Sequence, residues 1–326
     1  MTAFPPGPVD LHQHVIPRGY VERLTAIGVQ AQPGIPFPTW DRARALAALD
    51  DLGIAVAVVS TASPGYYFGD QDFATALVRD TNDELAELTR DPRFLAFAAV
   101  PLPSADAAVA EVRRLAGVPG FAGVSLLTNY AGRYPGDPSF DPLLAELDAL
   151  NAIVHIHPTL PPWWPEGAID LRPSLLEYVF DTSRALTNLM LSGAVDRYPG
   201  ISWVFSHCGG VLPYISRRLE IAEPLPELAQ VKGVVATMAR LGYDSALSAS
   251  GSGLGGLLGV VPADQVVLGT DYPFVDEETV REEFRRLDTF AQVGGVAGLG
   301  ANSRALIGLD SRSEITIQRN GKGPTR

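Results

Sequence analysis

Short β-branched or apolar runs alternate with amphipathic segments along the whole chain, and this alternation leaves few folds open. The strand-like runs cover residues 9–14, 54–60, 94–99, 121–126, 153–157, 202–206 and 265–270. The segments between them carry helix ends. Residues 40–52 place Leu46, Leu49 and Leu52 at helical spacing and stop at Gly53. Ser104 can cap a helix running to Arg114, with Gly117 just beyond. Asp141 and Pro142 offer a cap and a first-position proline ahead of Leu143, Leu144, Leu147 and Leu150.

Strands joined by helical crossovers build a parallel sheet. An eighth, weaker strand is expected at residues 239–244. Eight such units in roughly 250 residues or more describe a (β/α)8 TIM barrel, with a doubly wound open sheet as the structural alternative. The proline-rich stretches at residues 32–38 and 160–165 predict loop insertions after strands 1 and 5, on the side where barrel enzymes build their sites. Residues 1–310 are expected to form one domain. Residues 311–326 are polar and patternless, and are expected to be a disordered tail.

The formal net charge of −12 argues against a nucleic-acid partner, whose phosphates need clustered Lys and Arg. A single cysteine, Cys208, excludes an internal disulfide framework and suits a reducing cytoplasm. The opening residues lack the basic and apolar regions of a secretory leader, and no apolar run is long enough to predict a membrane span.

The five histidines fall at strand ends: His12 and His14 on the first, His155 and His157 on the fifth, His207 on the sixth. Residues i and i+2 of a strand share a face, so each pair projects together, and in a closed barrel such ends converge on one mouth. Asp271 ends the last run, in GTDYPF. Imidazole nitrogen with carboxylate oxygen is a donor set suited to Zn²⁺, and also to Mn²⁺ or Fe²⁺. A lone histidine at a strand end is usually a hydrogen-bonded structural residue; two i, i+2 pairs favour a metal site.

The motifs carry a resemblance. D-x-H-x-H at residues 10–14, HIHP in strand five, SHCGGVLPYISRR after strand six and GTDYPF near the end resemble the amidohydrolase superfamily, and within it the α-amino-β-carboxymuconate-ε-semialdehyde decarboxylase group. TASPGYYFGD, GVSLLTNYAGRYPGDPSFDPLLAELDALNAIVHIHPT and FDTSRALTNLMLSG are similar to 6-methylsalicylate decarboxylases. The resemblance spans residues 9–309. It implies that His12, His14, His157 and Asp271 hold one divalent metal, zinc before manganese, and that no organic cofactor is needed. It assigns acid/base work to His207, or to a protonated Asp271. It matches Arg218 to an arginine that reaches the neighbouring subunit's substrate carboxylate, which implies a homodimer; Arg217 next door leaves that register open. His155 has no ligand role in the pattern and is expected to support the site or the core. Hydroxybenzoate relatives often read E-x-H where this chain reads H-x-H, which favours the semialdehyde and methylsalicylate types over the resorcylate type.

The implied reaction is non-oxidative loss of CO₂ from a 2-hydroxybenzoate or an unsaturated acid. Trp163, Trp164, Tyr130 and Phe274, in loops after predicted strands, together suit a flat ring. The alternative is metal-dependent hydrolysis of a lactone, amide or ring-cleavage product on the same barrel. Amide-hydrolysing members carry a carboxylated lysine on strand four, where this chain reads FAGVSLL. A third reading, a non-catalytic ligand-binding barrel, does not require so full a set of donors. GSGLGG at residues 251–256 matches G-x-G-x-x-G but follows the weakest strand, so no dinucleotide site is expected. Cys208 is expected to be a small buried thiol.

Overall fold

The computed structural model describes residues 4–61, 63–229, 231, 233–312 and 314–317. Its eight strands are β1 (Val9–His14), β2 (Val56–Ser60), β3 (Phe94–Ala98), β4 (Phe121–Leu127), β5 (Ile153–His157), β6 (Ser202–Phe205), β7 (Gly242–Asp244) and β8 (Val266–Val267). All seven neighbouring pairs are parallel and follow chain order. The last strand meets the first through single bonds: Leu11 N donates to Leu268 O at 2.8 Å, Asp271 N to His12 O at 2.8 Å and His14 N to Tyr272 O at 2.7 Å. The sheet therefore closes into a (β/α)8 barrel, and the open-sheet alternative falls.

The expected eighth strand at residues 239–244 is β7. The expected run at residues 265–270 contributes only two residues to a ladder, because the chain then squeezes past the site. A Cβ on Gly269 would lie 2.9 Å from His12 Cβ and 3.0 Å from Asp244 Cβ. Only glycine passes there.

Among the described residues, twelve helices accompany the strands. They are α1 (Arg18–Ala26), α2 (Arg42–Leu52), α3 (Gln71–Leu88), α4 (Ala105–Leu115), α5 (Asp141–Ala149), α6 (Glu177–Leu191), α7 (Ala194–Arg197), α8 (Leu212–Ala222), α9 (Val234–Met238), α10 (Leu254–Leu258), α11 (Glu277–Leu287) and α12 (Gly295–Ile307). Asp41, Asp70, Ser104 and Asp276 each accept a bond from the backbone N–H three residues on, satisfying donors the helix leaves open. Asp141 is not the cap expected of it. It is the first residue of α5, which continues from a 3₁₀ turn capped by Asp137.

Two apolar layers hold the barrel. Val9, Leu11, Val56, Val58, Leu95, Phe97, Ala122, Ile153, Val204 and Val267 form an inner cluster drawn from seven strands. Ala57, Val59, Phe94, Ala96 and Ile156 face the helices, meeting Leu49, Leu143, Leu147, Leu186, Leu189 and Leu299. Each fully buried Leu or Phe contributes about 1.5–3 kcal/mol.

Within the stretch expected to be a disordered tail, residues 311, 312 and 314–317 are described, and two of them pack on the barrel. Ile315 and Ile317 are buried, Ile315 joins the inner cluster, and its carbonyl accepts from Gly120 N at 2.8 Å. The period-2 pattern in EITI turns an apolar face inward at the barrel end remote from the site. Residues 318–326 lie outside the described residues. The insertion after β1 holds α1 and residues 27–41, and that after β5 holds residues 158–176. No helix of the described residues is long and apolar enough to cross a membrane.

Candidate active site

A one-residue register shift between Asp10 and Gln13 sets the geometry of β1. Leu11 keeps to the inner cluster with Val9, while His12 and His14 beyond the shift come together at the mouth. Such irregularities re-aim side chains beside sites. Asp10 braces the shift, accepting from His12 N at 2.9 Å, Gln13 Nε2 at 2.8 Å and Thr270 Oγ1 at 2.6 Å. Burial pushes the Asp10 carboxyl up to about 7, against the pull of those bonds.

His12, His14, His157 and Asp271 each bring one donor atom into a group whose atoms all lie within 4.8 Å of one another. His12 Nε2 lies 3.1 Å from His14 Nε2, and Asp271 Oδ1 lies 2.9 Å from His14 Nε2 and 3.4 Å from His12 Nε2. The far nitrogens fix the tautomers. His12 Nδ1 donates to Asp244 Oδ2 at 2.9 Å, and His157 Nδ1 to Pro158 O at 2.8 Å. His14 Nδ1 faces the Ser60 carbonyl at 3.3 Å. With each proton on Nδ1, three Nε2 lone pairs point at one spot beside a carboxylate. Lone pairs so close repel one another, and a divalent cation resolves that repulsion. The residues therefore fit a metal.

The electrostatics agree with this. Burial holds His12 neutral, its pKa lowered to about 4 although Asp244 pulls the other way. Burial, with four neighbouring imidazoles, holds His157 well below its ordinary value. Neutral imidazole is the form that ligates. Asp271 stays ionised: burial would raise it, but the His14 bond and the neighbouring histidines outweigh burial and lower it.

Asp244, at the end of β7, is a site residue that the sequence reading overlooked. Its Oδ2 accepts from His12 Nδ1 and His155 Nε2, each at 2.9 Å, and its Oδ1 from His207 N at 3.0 Å and Ala246 N at 3.1 Å. His155 thus shares the Asp244 carboxylate with His12, and its ring stacks on Phe97 at 5.4 Å. His207 Nδ1 donates to Ala246 O at 3.0 Å, which leaves Nε2 free to carry a proton. His207, Cys208 and Asp271 have φ of 54°, 54° and 66°. Left-handed backbone in residues with a Cβ costs about 1–3 kcal/mol each and gathers at functional sites.

A cavity of about 390 Å³ opens over this group, lined by His157, His207, Asp271 and Phe274 among others. Phe274 meets the His14 ring edge-on at 4.9 Å. The other three aromatic residues, Tyr130, Trp163 and Trp164, do not line this cavity. Tyr130 is buried and its hydroxyl accepts from Leu127 N at 2.8 Å, folding the loop after β4 onto itself. Trp163 lies under the Arg184 guanidinium at 4.5 Å. Trp164 borders a neighbouring cavity with Pro33 and Leu171. Arg218 is exposed on α8, away from its own chain's cavity. The cation that lines the cavity is Arg172, from the loop after β5. Gln32, Ser63 and Tyr178 line it too. A patternless loop carries no signal for such residues. Cys208 is buried outside the cavity lining, burial pushing its thiol far up. GSGLGG forms a turn into the five-residue α10.

A closed parallel barrel with imidazoles and a carboxylate gathered at its C-terminal mouth defines a TIM-barrel enzyme of the divalent-metal type. The chain belongs to the amidohydrolase family, whose model matches residues 9–307. It is 28% identical over 314 residues to decarboxylase yanB of Aspergillus niger, covering 88% of this chain and 82% of that one. It is 28% identical over 290 residues to 6-methylsalicylic acid decarboxylase of Penicillium expansum, covering 83% and 86%. A solved amidohydrolase II superposes with a TM-score of 0.85 at 28% identity, covering 92% of this chain and 99% of that one.

Proposed function

We propose that this chain is a metal-dependent, non-oxidative decarboxylase of a small aromatic acid of the 2-hydroxybenzoate type, 6-methylsalicylate and related unsaturated acids included. The observation that carries the reading is the convergence of the His12, His14 and His157 lone pairs with Asp271 under a ring-sized cavity that also holds His207. Relatives named as decarboxylases support it.

His12, His14, His157 and Asp271 would hold the metal. Three neutral imidazoles and one carboxylate favour Zn²⁺, with Mn²⁺ next. Bound there, such an ion supplies Lewis acidity toward the substrate's oxygen atoms. The chain does the rest. Arg172 draws the anionic substrate to the mouth, and Phe274 stacks the ring in place. His207 receives its orientation from the Ala246 carbonyl and the Asp244 carboxylate, and delivers a proton from Nε2 to the ring carbon bearing the carboxylate. That C–H bond forms as aromaticity is lost. The C–CO₂ bond then breaks, its electron pair restores the ring, and CO₂ and a phenol leave. Proton and electrons balance without a redox partner.

Arg218 can act only from a second copy, so its assignment goes with a homodimer built on the α8 face, where Tyr214, Arg217 and Ile221 are also exposed. Sedimentation measures that state. For the reaction, metal-loaded protein is incubated with a panel of 2-hydroxybenzoates while CO₂ and phenol are followed. Phenol formation without added organic cofactor supports the lyase. Inertness toward every acid, with turnover of lactones, replaces it with the hydrolase.

A further inference from the structure

The loop after β1 carries into the cavity a polar side chain for which the decarboxylation scheme has no use. Gln32 lines the same cavity as His157, His207 and Asp271. Its backbone is held by a bridge to Ile35, whose N–H donates to Gln32 O at 3.0 Å. The residue is only 8% exposed, yet its Oε1 is buried with no hydrogen-bond partner among the described residues. A buried carboxamide in that state is unfavourable, because nothing offsets its desolvation. It needs a partner that the described residues do not provide.

Two hydroxyls line the cavity with it. Ser63 Oγ and Tyr178 OH lie 3.0 Å apart, and Ser63 Oγ donates to Ala31 O at 3.4 Å. With the serine proton so used, Tyr178 donates to Ser63, and both oxygens retain acceptor capacity. Burial keeps the tyrosine protonated, its pKa pushed up to about 12. Gln32, Ser63 and Tyr178 also border a second cavity behind the first, so they form the partition between the two. The partition is rich in acceptors. The ligand group that suits it is a donor.

We propose that Gln32, assisted by Ser63 and Tyr178, is a specificity wall that accepts a hydrogen bond from a hydroxyl or amino substituent on the substrate ring, apart from the reacting carboxylate and its ortho-hydroxyl. Within the proposed substrate class, the wall thereby favours 2-hydroxybenzoates with one further donor on the ring over those, such as 6-methylsalicylate, whose extra substituent is apolar. The inference rests on the decarboxylase reading for the ring and its carboxylate; the empty acceptor stands independently of it.

The test uses 2-hydroxybenzoates substituted at matched ring positions with hydroxyl, amino, methoxy or methyl. Each is measured for CO₂ release and for binding by calorimetry, on the metal-loaded wild type and on Gln32→Met. A site built around a hydrogen bond rejects the analogue that lacks it, so the wild type is expected to prefer hydroxyl or amino over methyl by roughly tenfold or more in kcat/KM. Gln32→Met is expected to erase that preference while still turning over the methyl acid. Tyr178→Phe should weaken the preference without erasing it. A further readout separates this role from a structural one. Replacing an orphaned amide with a thioether of similar volume should raise the ligand-free Tm of Gln32→Met by roughly 2 °C, whereas a structural glutamine would lower it. Equal use of hydroxyl and methyl acids by the wild type overturns the proposal, as does a Gln32→Met variant that slows all acids alike. If no acid turns over, the decarboxylase reading fails instead, and the binding ratio of hydroxyl to methyl acids still decides this one.

Discussion

Replacing Asp244 by Asn probes the geometry most directly. The carboxylate meets four donors, two on each oxygen: the rings of His12 and His155 on one, the backbone N–H groups of His207 and Ala246 on the other. An asparagine has only one oxygen. If that oxygen faces the histidines, its NH₂ confronts two backbone N–H groups, and buried donors are left unpaired at about 1–3 kcal/mol each. If the NH₂ faces the histidines, His12 can accept only by moving its proton to Nε2, the atom needed for metal. Loss of such an outer partner lowers metal affinity about 10- to 100-fold, roughly 1.4–2.7 kcal/mol. Affinity is measured by Zn²⁺ competition with a chromophoric chelator on metal-free protein, with thermal unfolding as the check on folding. His155→Phe removes one donor but leaves the His12 bond intact, so its loss should be well under that of Asp244→Asn. Wild-type affinity in a folded Asp244→Asn, or a larger loss in His155→Phe, would show that His12 is not oriented through Asp244.

Other outcomes follow from the same coordinates. His207→Asn should cut kcat by about 10²- to 10⁴-fold while chelator competition shows unchanged metal affinity; equal loss of both would make His207 a ligand. Arg172→Met should raise KM for the acid with little change in kcat, and the wild-type KM should rise with salt as charges are screened; a salt-independent KM removes Arg172 from substrate capture. Cys208 should resist thiol reagents in the folded protein even in mildly alkaline buffer, since a raised pKa leaves little thiolate, and should react fully in denaturant. Ser104→Ala should cost about 0.5–2 kcal/mol in denaturant titration through its lost bond to Ala107 N, leaving metal affinity unchanged.

Where local pattern determines structure, the sequence was legible. β1 and β5 match their expected ends, Gly53 stops α2 in a left-handed turn, and Ser104 caps α4. The pairs at His12/His14 and His155/His157 do sit at one mouth, but parity alone could not foresee the shift in β1 that lets Leu11 and His12 both serve the interior. Asp244 escaped because its importance comes from four donors far apart in the chain, two on β1 and β5 and two in the turns after β6 and β7. A three-residue strand carries no such information. The aromatic loop residues could not be told apart for a related reason: a loop shows no period, so Trp163 on Arg184 and Tyr130 on its own backbone look no different in sequence from Phe274 beside His14.

The seam between β8 and β1 is the weakest join in the barrel, held by single backbone bonds rather than a full ladder. Three of the four converging donors straddle it, His12 and His14 on one side and Asp271 on the other. An ion bound there would act as a clasp between the two ends of the polypeptide, tying residues some 260 positions apart in sequence. Stripping it with a chelator should therefore loosen the junction of β1 with the segment after β8 first, seen as faster amide exchange at Leu11, His14 and Asp271 while β3 and β4 stay protected.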